Sequence, residues 1–151
     1  MKQILDLISN SVNLLYFIPL VLYFYTGNLI HLQGLLGLIA MPIITEFIKY
    51  YIVGYMSVRP SGAYDCNTFA NDGYQGGKPG MPSSHSGQAS YFAGFYWQLT
   101  DNFYIRLALI LYTLLIVMSR YYKRCHNISQ IVIGLLIGLC VSYFVVRQNS
   151  T

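Results

Sequence analysis

Five apolar stretches take up most of this sequence and limit what it can fold into. A helix that crosses a bilayer needs about 20 mostly apolar residues, so five such helices nearly exhaust a chain of 151 residues. Nine basic and five acidic side chains are too few to cover the surface of a soluble protein of this size. We therefore predict an all-α integral membrane bundle of about five transmembrane helices, in one domain over residues 1–151. The predicted helices are residues 4–25, 29–56, 87–99, 103–118 and 128–146.

The same composition excludes several classes of protein. A chain with 55% hydrophobic and 9% charged residues fits neither a soluble enzyme, nor a disordered segment, nor a nucleic-acid-binding module. The partner that it implies is the lipid bilayer, and no nucleic acid is expected. The N-terminus lacks the basic start and cleavage site of a signal peptide. The three cysteines are far apart and show no C-x-x-C pair or zinc spacing, so we predict no disulfide framework.

Alternating the five helices across a membrane collects most of the basic residues on one side. That side contains the N-terminus, the long polar connection 57–86 and the short connection 119–127. The positive-inside rule would place this side in the cytoplasm, but a site for an anionic substrate would gather the same charges. The sequence therefore leaves the orientation open. The basic residues on this side are Lys2, Lys49, Arg59, Lys78, Arg120, Lys123 and Arg124.

Three motifs on the basic side carry groups that suit a phosphate. Guanidinium and ammonium groups, together with backbone N–H groups at a helix N-terminus, bind phosphate oxygens. His85 and His126 supply imidazoles that can transfer protons or attack phosphorus near neutral pH. Since no carboxylate cluster offers ligands to magnesium or calcium, we predict chemistry without a metal or any other cofactor. The motifs are Lys49 with Arg59-Pro60, residues 80–86 (GMPSSHS) and residues 119–130 (SRYYKRCHNISQ).

This order of motifs resembles the type 2 phosphatidic acid phosphatase superfamily, whose members are membrane enzymes that hydrolyse lipid phosphates and diphosphates without a metal. Within this superfamily the motifs are most similar to those of dolichyl diphosphatase, which shares the Gly-Met-Pro-Ser-Ser-His-Ser and Ser-Arg-x5-His-x3-Gln patterns. The resemblance covers about residues 46–138. It implies hydrolysis of a polyprenyl or dolichyl diphosphate, or of a phosphatidate-like lipid, through a phosphohistidine intermediate. The active site would lie at one membrane face.

The resemblance also implies a role for each matching residue. His126 corresponds to the nucleophile that forms the phosphohistidine, and His85 to the general acid that protonates the leaving oxygen. The matching arginines stabilise the charge that develops in the transition state, and the serine turn holds the equatorial oxygens through hydroxyl and backbone N–H groups. The phosphate-binding residues implied in this way are Arg120, Arg59, Ser83 and Ser84.

Gln130 is a departure from most of the superfamily, in which an Asp follows the nucleophile by four residues. Positions four apart share a helix face, so the amide oxygen of Gln130 can accept a bond from Nδ1–H of His126 and leave Nε2 free. Only the oxygen works in this role, so a neighbour must hold the amide in that orientation. Ser129 and a backbone carbonyl are the candidates. We predict that Gln130 supports catalysis.

The spacing of the first motif is a second departure. The family usually has six residues between its lysine and Arg-Pro, whereas nine separate Lys49 from Arg59. Ten steps along an α-helix place these two residues about 80° apart in angle, so they would not share a face. Either the helix ends before Arg59, or Lys78 fills the role of the family lysine. Both lysines remain candidates for phosphate binding.

Other functions remain open at this point. The protein could be a structural membrane protein that has lost turnover, or a binder or transporter of lipid phosphates that uses the same pocket. The lipid chain, the choice between mono- and diphosphate, and the oligomeric state are not decided by the sequence. Neither is the membrane, which could be the endoplasmic reticulum, another internal membrane or a viral membrane.

Overall fold

The protein is an all-helical bundle in the computed structural model, which describes residues 2–148. Four of its five helices are long and apolar enough to cross a membrane. The exception is the 16-residue third helix, which packs against the second, fourth and fifth. The prediction of an all-α membrane bundle of about five helices is confirmed. The helices are α1 (Lys2–Thr26), α2 (Ile30–Met56), α3 (Ser84–Leu99), α4 (Phe103–Tyr122) and α5 (Ile128–Gln148).

Helix α1 is closed by a glycine. Gly27 adopts a left-handed conformation with φ of +68°, and its N–H bonds to the carbonyl of Tyr23 at 2.8 Å. This is the usual way of closing a helix C-terminus, because glycine has no Cβ to oppose a positive φ. The side chain of Asn28 then accepts a bond from the N–H of Ile30 and starts α2.

Helix α2 changes its winding before it ends. It is α-helical over Ile30–Phe47, then a π-helix over Ile48–Val53 and a 3₁₀ turn over Gly54–Met56. A π-helix fits more residues into each turn than an α-helix does, so side chains beyond it point in different directions from those an α-helix would give. The directions of the side chains after Lys49 therefore differ from those predicted for a continuous α-helix.

Helices α3 and α5 pack closely because small residues meet between them. A Cβ atom on Gly138 would collide with the hydroxyl of Ser90 and the carbonyl of Gly87, and one on Gly134 would collide with the carbonyl of Ser83. The first half of α3 is thereby buried in the middle of the bundle. Close packing of this kind is common between membrane helices.

The apolar side chains divide into an inner cluster and an outer surface. Leu38, Met41, Tyr91, Phe95 and Ile116 are almost fully buried between the helices. Many other large apolar side chains remain exposed on the helices, which is costly in water and favourable in lipid. The bundle therefore has the outer surface of an integral, multi-pass membrane protein.

A disulfide joins the long connection to the segment between α4 and α5, and the prediction of no disulfide framework is wrong. Cys66 and Cys125 are 59 positions apart in sequence, yet their Cα atoms lie 5.5 Å apart. Spacing along the chain could not reveal this pair, because the fold brings the two segments together at the same end of the bundle. The third cysteine, Cys140, is free and exposed on α5.

Candidate active site

A cavity of about 220 Å³ lies at the end of the bundle that carries the long connection. Its walls come from the end of α2, the connection, the first turns of α3 and the segment between α4 and α5. The two histidines, which are 41 positions apart in sequence, therefore share one small chamber with two cations. The sequence-predicted residues that line it are Lys49, Arg59, Ser84, His85 and His126.

The imidazole of His126 is held in one tautomer. Nη1 of Arg59 lies 3.1 Å from Nε2, and Oε1 of Gln130 lies 3.2 Å from Nδ1. Because a guanidinium can only donate, Nε2 must be the acceptor and carry the lone pair. Nδ1 then carries the proton and donates it to the amide oxygen. The ring therefore presents the lone pair of Nε2 beside Arg59.

The amide of Gln130 is oriented by partners on both sides. Its nitrogen donates to the carbonyl of Val58 at 2.9 Å and to the hydroxyl of Ser57 at 3.1 Å. Its oxygen accepts the backbone N–H of Asn127 at 3.3 Å, in addition to the bond from His126. The backbone carbonyl of Val58, and not Ser129, therefore holds the amide of Gln130 with its oxygen toward His126.

The surroundings of His126 favour its neutral form. The side chain is 2% exposed. Burial lowers the pKa of His126 well below its usual value, and the positive charges of Arg59, Arg120 and Lys49 lower it further. A neutral imidazole keeps the lone pair that a nucleophile needs, so the neighbouring cations favour the form of His126 that can attack phosphorus.

His85 occupies the first turn of α3. It is 4% exposed, and its Nε2 has no hydrogen-bond partner within residues 2–148. Ser83, the N-cap residue, makes no side-chain capping bond. The N–H groups of the first helical turn have no carbonyl of their own helix to bond, so this end of α3 suits an anion.

The two serines of the turn have different neighbours. Ser84 lines the cavity, where its hydroxyl accepts a bond from the hydroxyl of Thr45 at 2.8 Å. Ser83 is fully buried beneath it. Its N–H donates to the carbonyl of Gln130 at 2.9 Å, and its hydroxyl accepts from Ser86 at 3.0 Å. Ser83 therefore connects the turn to α5, whereas Ser84 faces the chamber.

The structure places Lys49 in the cavity and Lys78 outside it. Lys49 lies in the π-helical segment, is 2% exposed and forms an ion pair with Glu46. Because α2 ends at Met56, the chain turns back and brings Arg59 to the same chamber despite the longer spacing. Lys78 is exposed, and its contact with Arg59 is a backbone bond, from the N–H of Arg59 to the carbonyl of Lys78.

Arg120 lies outside the lining of the cavity. Its guanidinium is completely buried and donates to the hydroxyl of Ser9 at 2.5 Å and to the carbonyl of Cys66. Its Nε has no partner among the described residues. The charge of Arg120 helps to lower the pKa of His126, but its side chain is bonded to Ser9 and to the carbonyl of Cys66 in the wall of the chamber.

Several lining residues carry no motif that sequence reasoning could use. Gln88 follows Ser84 by four positions on α3, so helical spacing alone could have found it. The others come from the loop after Cys66, whose path depends on the fold, and from α2, where Glu46 forms its ion pair with Lys49. The additional lining side chains with polar groups are Glu46, Asn67, Thr68, Asp72 and Gln88.

Comparisons with known proteins assign the chain to a family and a fold. Residues 31–151 match the PAP2 superfamily. The chain belongs to the PAP2 superfamily. A similar solved structure is described as the crystal structure of the first transmembrane PAP2 type phosphatidylglycerolphosphate phosphatase from Bacillus subtilis, with a TM-score of 0.76 and 18% sequence identity. The match covers 99% of this chain and 76% of that chain, and at this identity it shows the fold. No curated protein matches the sequence significantly.

This PAP2 chain offers a direct test of its two candidate lysines. We expect Lys49→Met to lower kcat/KM for a lipid phosphate by about 10- to 100-fold. The variant loses the buried ammonium group that the sequence motif predicts to bind a phosphate oxygen of the substrate. Lys78→Met removes the same charge from an exposed position and is expected to stay within about threefold of wild type. The measurement is phosphate release over a range of substrate concentrations. An inactive Lys78→Met protein beside an active Lys49→Met protein would reverse the assignment.

Proposed function

We propose that this protein hydrolyses a lipid phosphate or diphosphate, with His126 as the nucleophile. The observation that carries the proposal is the orientation of His126, whose Nε2 lone pair lies beside Arg59 in a chamber shared with Lys49 and His85. A phosphate in this chamber would lie near Lys49 and near Arg59, whose Nη1 is 3.1 Å from Nε2 of His126. The PAP2 membership and the phosphatase fold of the similar structure support the same reaction class.

The proposed first step transfers the phosphoryl group to His126. Nη1 of Arg59 passes its hydrogen bond from Nε2 of His126 to a phosphate oxygen. The freed Nε2 lone pair then forms a bond to phosphorus while the bond from phosphorus to the leaving oxygen breaks. His85 donates a proton from Nε2 to that oxygen, so the leaving group departs as an alcohol or as a lipid monophosphate. A bound phosphate adds negative charge among the cations, and this charge favours the protonated form of His85.

The second step releases inorganic phosphate. Neutral His85 accepts a proton from water as the water oxygen attacks phosphorus and the phosphorus–nitrogen bond breaks. His126 recovers its lone pair, and Nδ1–H remains bonded to Gln130 in both steps. Arg59 and Lys49, with the first turn of α3, stabilise the charge on the transferred group.

The dimensions of the chamber favour a substrate whose phosphate alone enters the protein. A volume of about 220 Å³ suits a phosphoryl group and part of its headgroup, whereas a long lipid chain needs far more space. Glu46, on the apolar helix α2, is half-exposed at the edge of the chamber. We propose that the lipid chain stays in the bilayer beside this helix. The similarity of the motifs to those of dolichyl diphosphatase favours a polyprenyl diphosphate as the substrate. The similar structure is of a phosphatidylglycerolphosphate phosphatase, so a phosphatidate-like monophosphate is the other substrate to compare.

We also propose that the face with the active site lies in an oxidising compartment. Disulfides persist in the endoplasmic reticulum lumen, the periplasm and on cell or virion surfaces, and are rare in the cytosol. The positive-inside count opposes this orientation only weakly, because most of the basic residues on that face serve the fold or the site. Those that are buried are Lys49, Arg59, Arg120 and Lys123, and Lys2 is paired with Asp65.

The proposed function predicts activity that survives chelation. The charge that a metal ion would supply is provided by Lys49, Arg59 and the helix N-terminus, and no group of three or more metal-binding side chains occurs in residues 2–148. We expect phosphate release in detergent with EDTA to equal that without EDTA. The assay uses a panel of lipid monophosphates and diphosphates. Activity that is lost with EDTA and restored by magnesium would contradict the proposed mechanism, and binding without any turnover would favour a lipid-phosphate binder.

A further inference from the structure

The Cys66–Cys125 disulfide lies against the catalytic chamber. Cys66 lines the cavity, and Cys125 directly precedes His126. Both cysteines are buried and form a small cluster with Ala63, separate from the core of the helix bundle. The bond therefore joins two walls of the site to each other.

The backbone of each cysteine is also bonded to an arginine. The carbonyl of Cys125 accepts a bond from Nη1 of Arg59 at 3.0 Å, and this same nitrogen contacts Nε2 of His126. The carbonyl of Cys66 accepts a bond from Arg120. The relative placement of Arg59 and His126 thus depends on Cys125, whose position is tied to Cys66.

The loop that follows Cys66 is closed by its own hydrogen bonds. Asp72 accepts the N–H groups of Cys66 at 2.6 Å and Asn67 at 3.2 Å, and Asp65 and Gly73 exchange two further bonds. Residues 65–73, which we call the strap, supply part of the cavity wall. These bonds close the strap on itself, and the disulfide is its covalent attachment to the segment that carries His126.

We infer that the Cys66–Cys125 disulfide is a positioning element of the active site, which holds the strap and Arg59 in register with His126. This inference rests on the proposed function. A dithiol such as dithiothreitol reduces this bond with two electrons and two protons. The products are the two protein thiols and the cyclic disulfide of the reductant. Without the bond, the strap and the His126 segment keep only noncovalent contacts. Since a displacement of about 1 Å can lower a rate by about 10²-fold, kcat is expected to fall far more than KM rises.

The experiment compares oxidised protein, protein reduced with dithiothreitol and the Cys66→Ser/Cys125→Ser variant, all in detergent. Free thiols are counted by alkylation and mass measurement, and kcat and KM are measured well below the Tm of each form. Cys140→Ser is the matched control, because it removes the one remaining cysteine from an exposed position on α5. We expect kcat to fall at least tenfold in reduced wild type and in reduced Cys140→Ser, and to recover on reoxidation. The double variant should be slow from the start and insensitive to dithiothreitol.

A second measurement does not depend on turnover. Inorganic phosphate should raise the Tm of the oxidised protein more than that of the reduced protein, because it binds the arranged site more tightly. If reduction lowers the Tm but leaves kcat and the phosphate-dependent shift unchanged, the disulfide only stabilises the fold and the inference is overturned. If the oxidised protein releases no phosphate from any lipid while the phosphate-dependent shift still depends on the bond, the proposed function fails and the positioning role stands.

Discussion

Replacing His126 with alanine is expected to lower the rate of phosphate release by about 10⁴-fold or more, because the reaction loses the atom that attacks phosphorus. No other imidazole can take its place in the described part of the chain. His85 lines the same chamber but is the proposed general acid, and His31 is at the other end of the bundle beside Tyr96. The variant should still fold, since the buried cluster of the helix bundle does not include His126.

His31→Ala is the matched control for this experiment, because it removes an imidazole without touching the chamber. We expect it to keep activity within about twofold of wild type. A phosphoryl group on His126 should be detectable in wild-type protein quenched at high pH during turnover, and absent from His126→Ala. If His126→Ala keeps wild-type activity, the proposed nucleophile is wrong and the site works by another mechanism.

The fold could be predicted because a membrane-spanning helix can be identified from the composition of its own segment. Each apolar stretch must satisfy its own backbone hydrogen bonds in lipid, so its length and its lack of charge suffice to identify a helix. Gly134 and Gly138 lie four positions apart, a spacing that favours close packing of membrane helices, and both meet α3 in the structure. These signals are local, and a local signal needs no knowledge of which segments meet.

The motif residues could be identified because each motif is also a local pattern in the sequence. Their arrangement in space could not be predicted in this way. The sequence motifs do not predict the π-helical segment in which Lys49 lies. The disulfide and the strap join segments far apart in the chain. Arg120 shows the limit most clearly, because its motif implies phosphate binding whereas its guanidinium is bonded to Ser9 and Cys66.

Gln130 unites a sequence departure with a structural reason for it. The amide meets a donor, Nδ1–H of His126, on one side and an acceptor, the carbonyl of Val58, on the other. An amide satisfies both neighbours, whereas a carboxylate of the same length would place an oxygen against the carbonyl oxygen of Val58. The environment is therefore built for glutamine, and the absence of the usual Asp does not by itself indicate a lost activity.

We expect Gln130→Leu to lower kcat by about 10²- to 10⁴-fold. Leucine has a similar volume but cannot accept the bond from Nδ1–H, so the ring can turn or take the tautomer that carries its proton on Nε2; in a serine protease, such a loss of the correct tautomer lowers kcat by about 10⁴. KM should change little, because Lys49 and Arg59, the proposed phosphate-binding cations, are unchanged. The measurement is kcat and KM for the best lipid substrate of the wild-type protein.

Gln130→Glu and Gln130→Asp separate the two duties of this side chain. The Glu variant keeps an acceptor for His126 but opposes the carbonyl of Val58, so it should retain more activity than Leu while its Tm falls. The shorter Asp side chain can still accept from Nδ1–H and avoids Val58, so it should be active and closer to wild type in Tm. If wild type is inert and Asp alone gains turnover, glutamine disables catalysis, and the protein is a structural relative that has kept the chamber of a phosphatase. If Leu matches wild type, the bond from His126 to Gln130 is not needed for the reaction.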